Sequence, residues 1–75
     1  MKVLLIDDDP DILDAVTVGF HFEWRESTVL TATTGGDGLR LFVEHAPDIV
    51  VLDLTMPDMN GFEVLREMQI GRAHV

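Results

Sequence analysis

The chain has 75 residues and a mass of 8.4 kDa, a size that excludes more than one small domain. Hydrophobic residues make up 47% of it, as in a folded chain, and the absence of cysteine excludes disulfide support. Five basic and fourteen acidic residues give a net charge of −9, which opposes direct binding to nucleic acid or anionic membranes and favours a cation.

The N-terminal apolar run, residues 3–6, stops at three consecutive aspartates. It is too short for the core of a signal peptide or for a membrane span. The lack of cysteine fits a reducing compartment. The sequence therefore predicts a cytoplasmic protein with no membrane contact.

Three short apolar runs predict β-strands. Residues 3–6 and 49–52 are unbroken and rich in β-branched side chains, which is typical of strands buried on both faces of a parallel sheet. Each of these two runs is followed by an aspartate. Residues 28–32 alternate more strongly between apolar and polar and predict an edge strand.

Between the strands, apolar residues recur at helical spacing and predict three helices. The first apolar stripe follows Pro10 and comprises Ile12, Leu13, Val16 and Phe20. The second lies between candidate caps at Thr33 and Thr34 and a stop before Pro47, and comprises Leu39, Phe42, Val43 and Ala46. The third follows a turn over residues 56–61 and comprises Phe62, Leu65 and Met68. The order βαβαβα predicts an α/β fold, a parallel sheet with helices on its faces.

The aspartates that follow the first and third strands, Asp7, Asp8 and Asp53, are expected to converge at one edge of the sheet. Carboxylates so close raise one another's pKa values unless a cation is present. An all-oxygen ligand set favours Mg²⁺, which also binds phosphate oxygens, and an aspartate can act as a phosphoryl-accepting nucleophile. The remaining clustered acids, Asp9, Asp11 and Asp14, are interpreted as capping or surface residues.

The segments at residues 4–10 and 49–61 together resemble the receiver domain of two-component response regulators. The resemblance runs from residue 2 to about residue 69. It implies a flavodoxin-like, doubly wound parallel sheet in three αβα layers, with strand order 2-1-3 for the three βα units present. It also implies a histidine kinase or phosphotransfer protein as partner, with no direct nucleic acid binding by this segment.

The same resemblance implies a role for each site residue. Asp53 corresponds to the phosphoacceptor and to a metal ligand, Asp8 to a direct Mg²⁺ ligand, and Asp7 to the acid that holds a metal-bound water. Thr55 corresponds to the position whose backbone carbonyl completes the metal ligands. No further cofactor is expected, and the chain is interpreted as a phosphoacceptor rather than a turnover enzyme.

Receiver domains have five βα units, whereas this sequence predicts three. Residues 1–69 are therefore interpreted as a partial receiver domain that lacks the family's switch Ser/Thr, its phosphate-binding lysine and an effector domain. Lys2 is the only lysine and stands at the wrong end of the first strand. Residues 70–75 depart from the family pattern, and we expect them to be a non-native extension translated from a sequencing adapter. Impaired switching, an unpaired edge at the third strand and partial folding or association are expected.

Two alternatives stay open. An aspartate-nucleophile phosphohydrolase would also place Asp53 after an apolar strand, but it needs a general acid where Thr55 stands. A metal-independent interaction module, a degenerate receiver, would need no ion at all. A response of the folded chain to Mg²⁺, or turnover of a phosphomonoester, distinguishes the three functions.

Overall fold

The computed structural model describes residues 1–53 and 60–73, the last three of them by backbone alone. Strands and helices alternate along the chain as predicted. The elements are β1 (Lys2–Ile6), α1 (Pro10–Glu23), β2 (Thr28–Ala32), α2 (Gly35–His45), β3 (Ile49–Leu52) and α3 (Gly61–Ala73).

The strands form a three-stranded parallel sheet in the order β2-β1-β3. β1 is central, with Leu4 opposite Leu30 of β2 and opposite Val50 of β3. The predicted α/β class, the strand order and the edge position of β2 are confirmed. This order places the ends of β1 and β3 side by side.

The core has two parts, one on each face of β1, because alternate side chains of a strand point to opposite faces. Leu4 and Ile6 pack with residues of α2 and α3, whereas Val3 and Leu5 pack with Leu13 of α1. All four of these β1 side chains are at most 2% exposed. The three-layer arrangement predicted from the sequence is therefore present around β1.

Side-chain caps begin the first two helices. The Asp9 carboxylate accepts a hydrogen bond from the Asp11 N–H, and the Thr34 hydroxyl accepts one from the Asp37 N–H. Ala46 is the C-cap of α2, and its φ of 45° lies in the left-handed region. These caps agree with the predicted start of α2 at Thr34 and its end before proline.

The packed face of α3 differs from the predicted stripe. Met68 is buried as expected, but Phe62 and Leu65 are 64% and 42% exposed, and Val64 is fully buried in their place. Val64 and Met68 stand four residues apart and meet on one helix face. The predicted stripe is therefore right at Met68 and wrong at Phe62 and Leu65, because the packed face of α3 is the one that carries Val64.

β3 is less buried than its sequence predicts. Ile49 and Val51 are 39% and 44% exposed, whereas Val50 packs against the core on the opposite face. In the part of the chain that the structure describes, β3 pairs with β1 alone. Among the described residues, one edge of β3 is therefore unpaired, and the face that carries Ile49 and Val51 is partly exposed. Ile12 of α1 is likewise 47% exposed, so it stands outside the packed stripe.

α2 lies close to β1 at Gly38. A Cβ atom at this position would lie 2.5 Å from Cδ1 and 2.9 Å from Cγ1 of Ile6. At Gly36, by contrast, a Cβ atom would meet nothing within 4 Å. Gly38 therefore lets the helix lie against the last residue of β1, directly before Asp7.

Lys2, at the start of β1, forms hydrogen bonds to the end of α2 and to the residue before β3. Its Nζ donates a hydrogen bond of 3.1 Å to the His45 carbonyl at the end of α2, where a cation is favourable. Its backbone N–H donates to the Asp48 carboxylate at 2.8 Å, ahead of β3. Among the described helices, none is long and apolar enough to cross a membrane.

Candidate functional site

The backbone of the sheet positions the acidic residues that follow β1 and β3. The Asp7 N–H donates to the Ala32 carbonyl at the end of β2, at 3.1 Å. The Asp53 N–H donates to the Ile6 carbonyl at the end of β1, at 2.9 Å. Each aspartate therefore extends the strand pairing by one residue, which fixes where its side chain begins.

Asp7, Asp8 and Asp53 converge, as the sequence predicts. One carboxylate oxygen from each lies within 4.8 Å of the corresponding oxygens of the other two. Asp7 and Asp53 are half-buried and Asp8 is exposed. Over the residues that the structure describes, this is the one group of three or more acidic or histidine side chains with metal-binding spacing.

The carboxylates differ in their surroundings. Asp7 Oδ1 accepts a hydrogen bond of 2.9 Å from the Asp9 N–H, which holds its carboxylate toward the first turn of α1. The pKa of Asp8 is raised above its ordinary value of 3.8 by partial desolvation, by a hydrogen bond with Asp7 and by repulsion from Asp53 and Asp7. Because Asp8 is exposed, solvent screens these effects.

The donor set fits a hard divalent cation. All three side chains offer carboxylate oxygens, the ligands that Mg²⁺ prefers, and a cation would relieve the repulsion that acts on Asp8. The arrangement therefore suits the binding of a divalent cation at this edge of the sheet.

The remaining residues that the sequence analysis singled out near the site do not belong to the acidic cluster of the described structure. Thr55, the predicted carbonyl ligand, and the turn residue Pro57 lie outside the described residues. Asp9 caps α1 with its carboxylate, so its interpretation as a capping acid is confirmed. Asp11 and Asp14 are exposed on α1 and do not belong to the acidic cluster.

The chain matches the family described as the response regulator receiver domain over residues 3–75. It is 49% identical over 63 residues to the transcriptional regulatory protein KdpE of Mycobacterium tuberculosis, covering 84% of this chain and 27% of that protein. It is 36% identical over 67 residues to the protein PilH of Pseudomonas aeruginosa, covering 89% of this chain and 54% of PilH. The chain thus spans about a quarter to a half of these relatives.

Solved structures agree with the sequence matches. A CheY-like response regulator receiver domain protein from Methanospirillum hungatei JF-1 superposes with a TM-score of 0.88 at 32% identity, over 96% of this chain and 56% of that one. A response regulator receiver domain protein from Clostridium thermocellum gives 0.80 at 37% identity, over 99% and 59%. These matches confirm the predicted resemblance, and the chain belongs to the response regulator receiver domain family.

Proposed function

We propose that this chain is a phosphoacceptor module of a two-component pathway, in which Asp53 accepts a phosphoryl group with the help of Mg²⁺. The observation that carries the proposal is the convergence of Asp7, Asp8 and Asp53 within 4.8 Å at the ends of neighbouring strands. A carboxylate nucleophile needs a cation beside it before an anionic phosphoryl donor can approach. The negative cluster recruits that cation.

Each acid has a separate task in this proposal. Asp8 and Asp53 would hold the cation through their carboxylates, and Asp7 would hold it through a water molecule. By the resemblance to receiver domains, the Thr55 carbonyl would supply a further ligand from the chain. When bound, Mg²⁺ neutralises charge on the phosphoryl oxygens.

The transfer itself uses the Asp53 carboxylate. One of its oxygens forms a bond to phosphorus while the bond from phosphorus to the nitrogen of a donor phosphohistidine breaks. The imidazole keeps that electron pair and takes a proton from solvent, so the products are an aspartyl phosphate and a neutral histidine. The hydrogen bond from the Asp53 N–H to Ile6 fixes the nucleophile's backbone during the step.

The chain carries no lysine that can assist at this end of the sheet. Lys2 is its only lysine, and the Nζ atom binds the His45 carbonyl at the opposite end of β1. An aspartyl phosphate at Asp53 therefore lacks an ammonium partner from this chain. We expect slow phosphorylation and no normal switching from these 75 residues.

Partners and location follow from the same proposal. A histidine kinase or a phosphotransfer protein donates the phosphoryl group in the cytoplasm. Within a longer response regulator, phosphorylation would shift a two-state equilibrium that an effector domain reads. The chain is a phosphoacceptor that takes part in its own modification and does not turn over a substrate.

The test is mass spectrometry after incubation with Mg²⁺ and a small acyl phosphate. The intact chain is expected to gain one phosphoryl group, Asp53→Asn is expected to gain none, and Asp14→Asn is expected to behave like the intact chain. Equal labelling of Asp53→Asn would remove Asp53 from its role. Labelling that is unchanged by chelation of Mg²⁺ would contradict the metal requirement.

Two other results would favour the alternative functions. Repeated turnover of a phosphomonoester, lost in Asp53→Asn, would identify a phosphohydrolase. A folded chain whose thermal midpoint and Trp24 fluorescence do not respond to Mg²⁺ would identify a metal-independent interaction module.

A further inference from the structure

The residue that precedes α3 caps this helix and also belongs to a chemically reactive dipeptide. Asn60, the only asparagine of the chain, is exposed and is followed by Gly61. Its Oδ1 accepts a hydrogen bond of 2.8 Å from the Phe62 N–H. Its backbone carbonyl accepts bonds from the N–H groups of Glu63 and Val64, at 2.9 Å and 3.2 Å. Both oxygens of Asn60 therefore hold the first turn of α3.

An asparagine amide can be attacked by the backbone nitrogen of the next residue. Glycine permits this attack best, because it has no Cβ atom to obstruct the closing ring. The cap bond adds an electrostatic effect, since negative charge develops on Asn60 Oδ1 during the attack and the Phe62 N–H already donates to that oxygen. The same hydrogen bond that begins the helix thus activates the amide.

The structure also distinguishes Asn60–Gly61 from a similar dipeptide in α2. Asp37–Gly38 can close a similar ring, although a carboxylate is attacked less readily than an amide, and the Gly38 N–H donates to the Thr34 carbonyl at 3.0 Å. Gly61 is the first residue of its helix, and the first N–H groups of a helix have no acceptor within it. Gly61 is buried, but its nitrogen lacks the helical hydrogen bond that holds Gly38.

We propose that Asn60 is a site of spontaneous deamidation in the folded chain, promoted by the cap of α3. The Gly61 nitrogen gives its proton to solvent and bonds to Asn60 Cγ, and the bond from Cγ to Nδ2 breaks. Ammonia leaves with a proton from solvent, and the product is a cyclic succinimide. Water then opens the ring at either carbonyl, which yields aspartate or isoaspartate without any change of oxidation state.

The two products affect α3 differently. Aspartate at position 60 retains a capping oxygen and lowers the net charge by one from −9. Isoaspartate routes the main chain through the former side chain, so the carbonyl that accepts from Glu63 and Val64 is displaced. The first turn of α3, which carries the fully buried Val64, is then expected to loosen.

The first experiment compares deamidation in the folded and the urea-unfolded chain at neutral pH. Peptide mapping is expected to show a gain of about 1 Da at Asn60 as the amide becomes a carboxyl group. The folded chain is expected to react at least as fast as the unfolded one, and Asn60→Ser to show no gain. A slower reaction in the folded chain would overturn the proposal.

The second experiment removes the activating donor. Phe62→Pro deletes the N–H that binds Asn60 Oδ1, and proline is tolerated in the first turn of a helix. Deamidation in this folded variant is expected to slow about fivefold, the effect of losing one neutral hydrogen bond. Phe62→Leu keeps the donor and is the matched control. An unchanged rate in folded Phe62→Pro would also overturn the proposal, and if this variant does not fold, the first comparison decides.

Discussion

The close approach of α2 to β1 makes a quantitative prediction about Gly38. A methyl group at this position would lie 2.5 Å, 2.9 Å and 3.2 Å from Cδ1, Cγ1 and Cγ2 of Ile6. The same methyl group at Gly36 would meet nothing within 4 Å. Gly38→Ala and Gly36→Ala therefore differ in packing while they share the same helix and the same chemical change.

The two substitutions are expected to have opposite signs. At Gly36, alanine raises helix propensity and stabilises the fold by about 0.5–1 kcal/mol. At Gly38 the same gain is offset by overpacking against Ile6, which costs about 1–3 kcal/mol. The expected net effect of Gly38→Ala is a loss of about 1 kcal/mol in unfolding free energy.

The assay is urea unfolding followed by circular dichroism, with Ile6→Val as the second member of a double-mutant cycle. Ile6→Val removes Cδ1, the atom closest to the new methyl group, and costs about 0.5–1.5 kcal/mol alone. Combined with Gly38→Ala, the loss should be at least about 1 kcal/mol smaller than the sum of the single losses. Additive losses, or a Gly38→Ala chain as stable as Gly36→Ala, would refute the packing argument.

Three further predictions concern the acids, the caps and Lys2. In the metal-free chain, the raised pKa of Asp8 means that the folded state binds the proton of this carboxyl group more tightly than the unfolded state does. The unfolding free energy of the intact chain should therefore rise, relative to that of Asp8→Asn, as the pH falls toward the raised pKa. Parallel urea titrations of the two chains measure this difference. Thr34→Ala removes the acceptor of the Asp37 N–H, and its unfolding free energy should drop by about 1 kcal/mol, whereas Thr34→Ser should lose far less. Lys2→Met keeps the apolar part of the side chain but removes the donor to the His45 carbonyl. Calorimetry should record a lower thermal midpoint, which corresponds to a loss of about 1 kcal/mol in unfolding free energy. An unchanged midpoint would mean that this hydrogen bond does not contribute to stability.

The sequence predicts the sheet well because its signals there are local and redundant. Residues 3–6 are apolar without interruption, and the structure buries all of them at the centre of the sheet. The convergence of Asp7, Asp8 and Asp53 then follows from strand order alone, since parallel neighbours end at the same edge. Thr55, in contrast, stays a prediction, as do the boundary between residues 1–69 and 70–75 and the role of each acid.

The burial of helix and strand faces is harder to predict. Phe62, Leu65 and Val64 are all apolar, and the rotation of α3 decides which of them packs into the core. That rotation depends on how the chain enters the helix, which periodicity alone does not specify. The exposure of Val51 has a different origin. An unbroken apolar strand predicts that both faces of the strand are covered, but whether a helix packs on each face depends on the whole fold and not on the strand's own sequence.

The hydrogen bond between the Asp53 N–H and the Ile6 carbonyl has a kinetic consequence. It joins residues that are 47 positions apart along the chain. The acidic cluster therefore cannot assemble during folding until β3 has paired with β1, which closes the long loop between them. A cation bound there would link the two ends of that closed loop. Its dissociation would then have to precede the separation of the strands, and Mg²⁺ should slow unfolding more than it speeds folding.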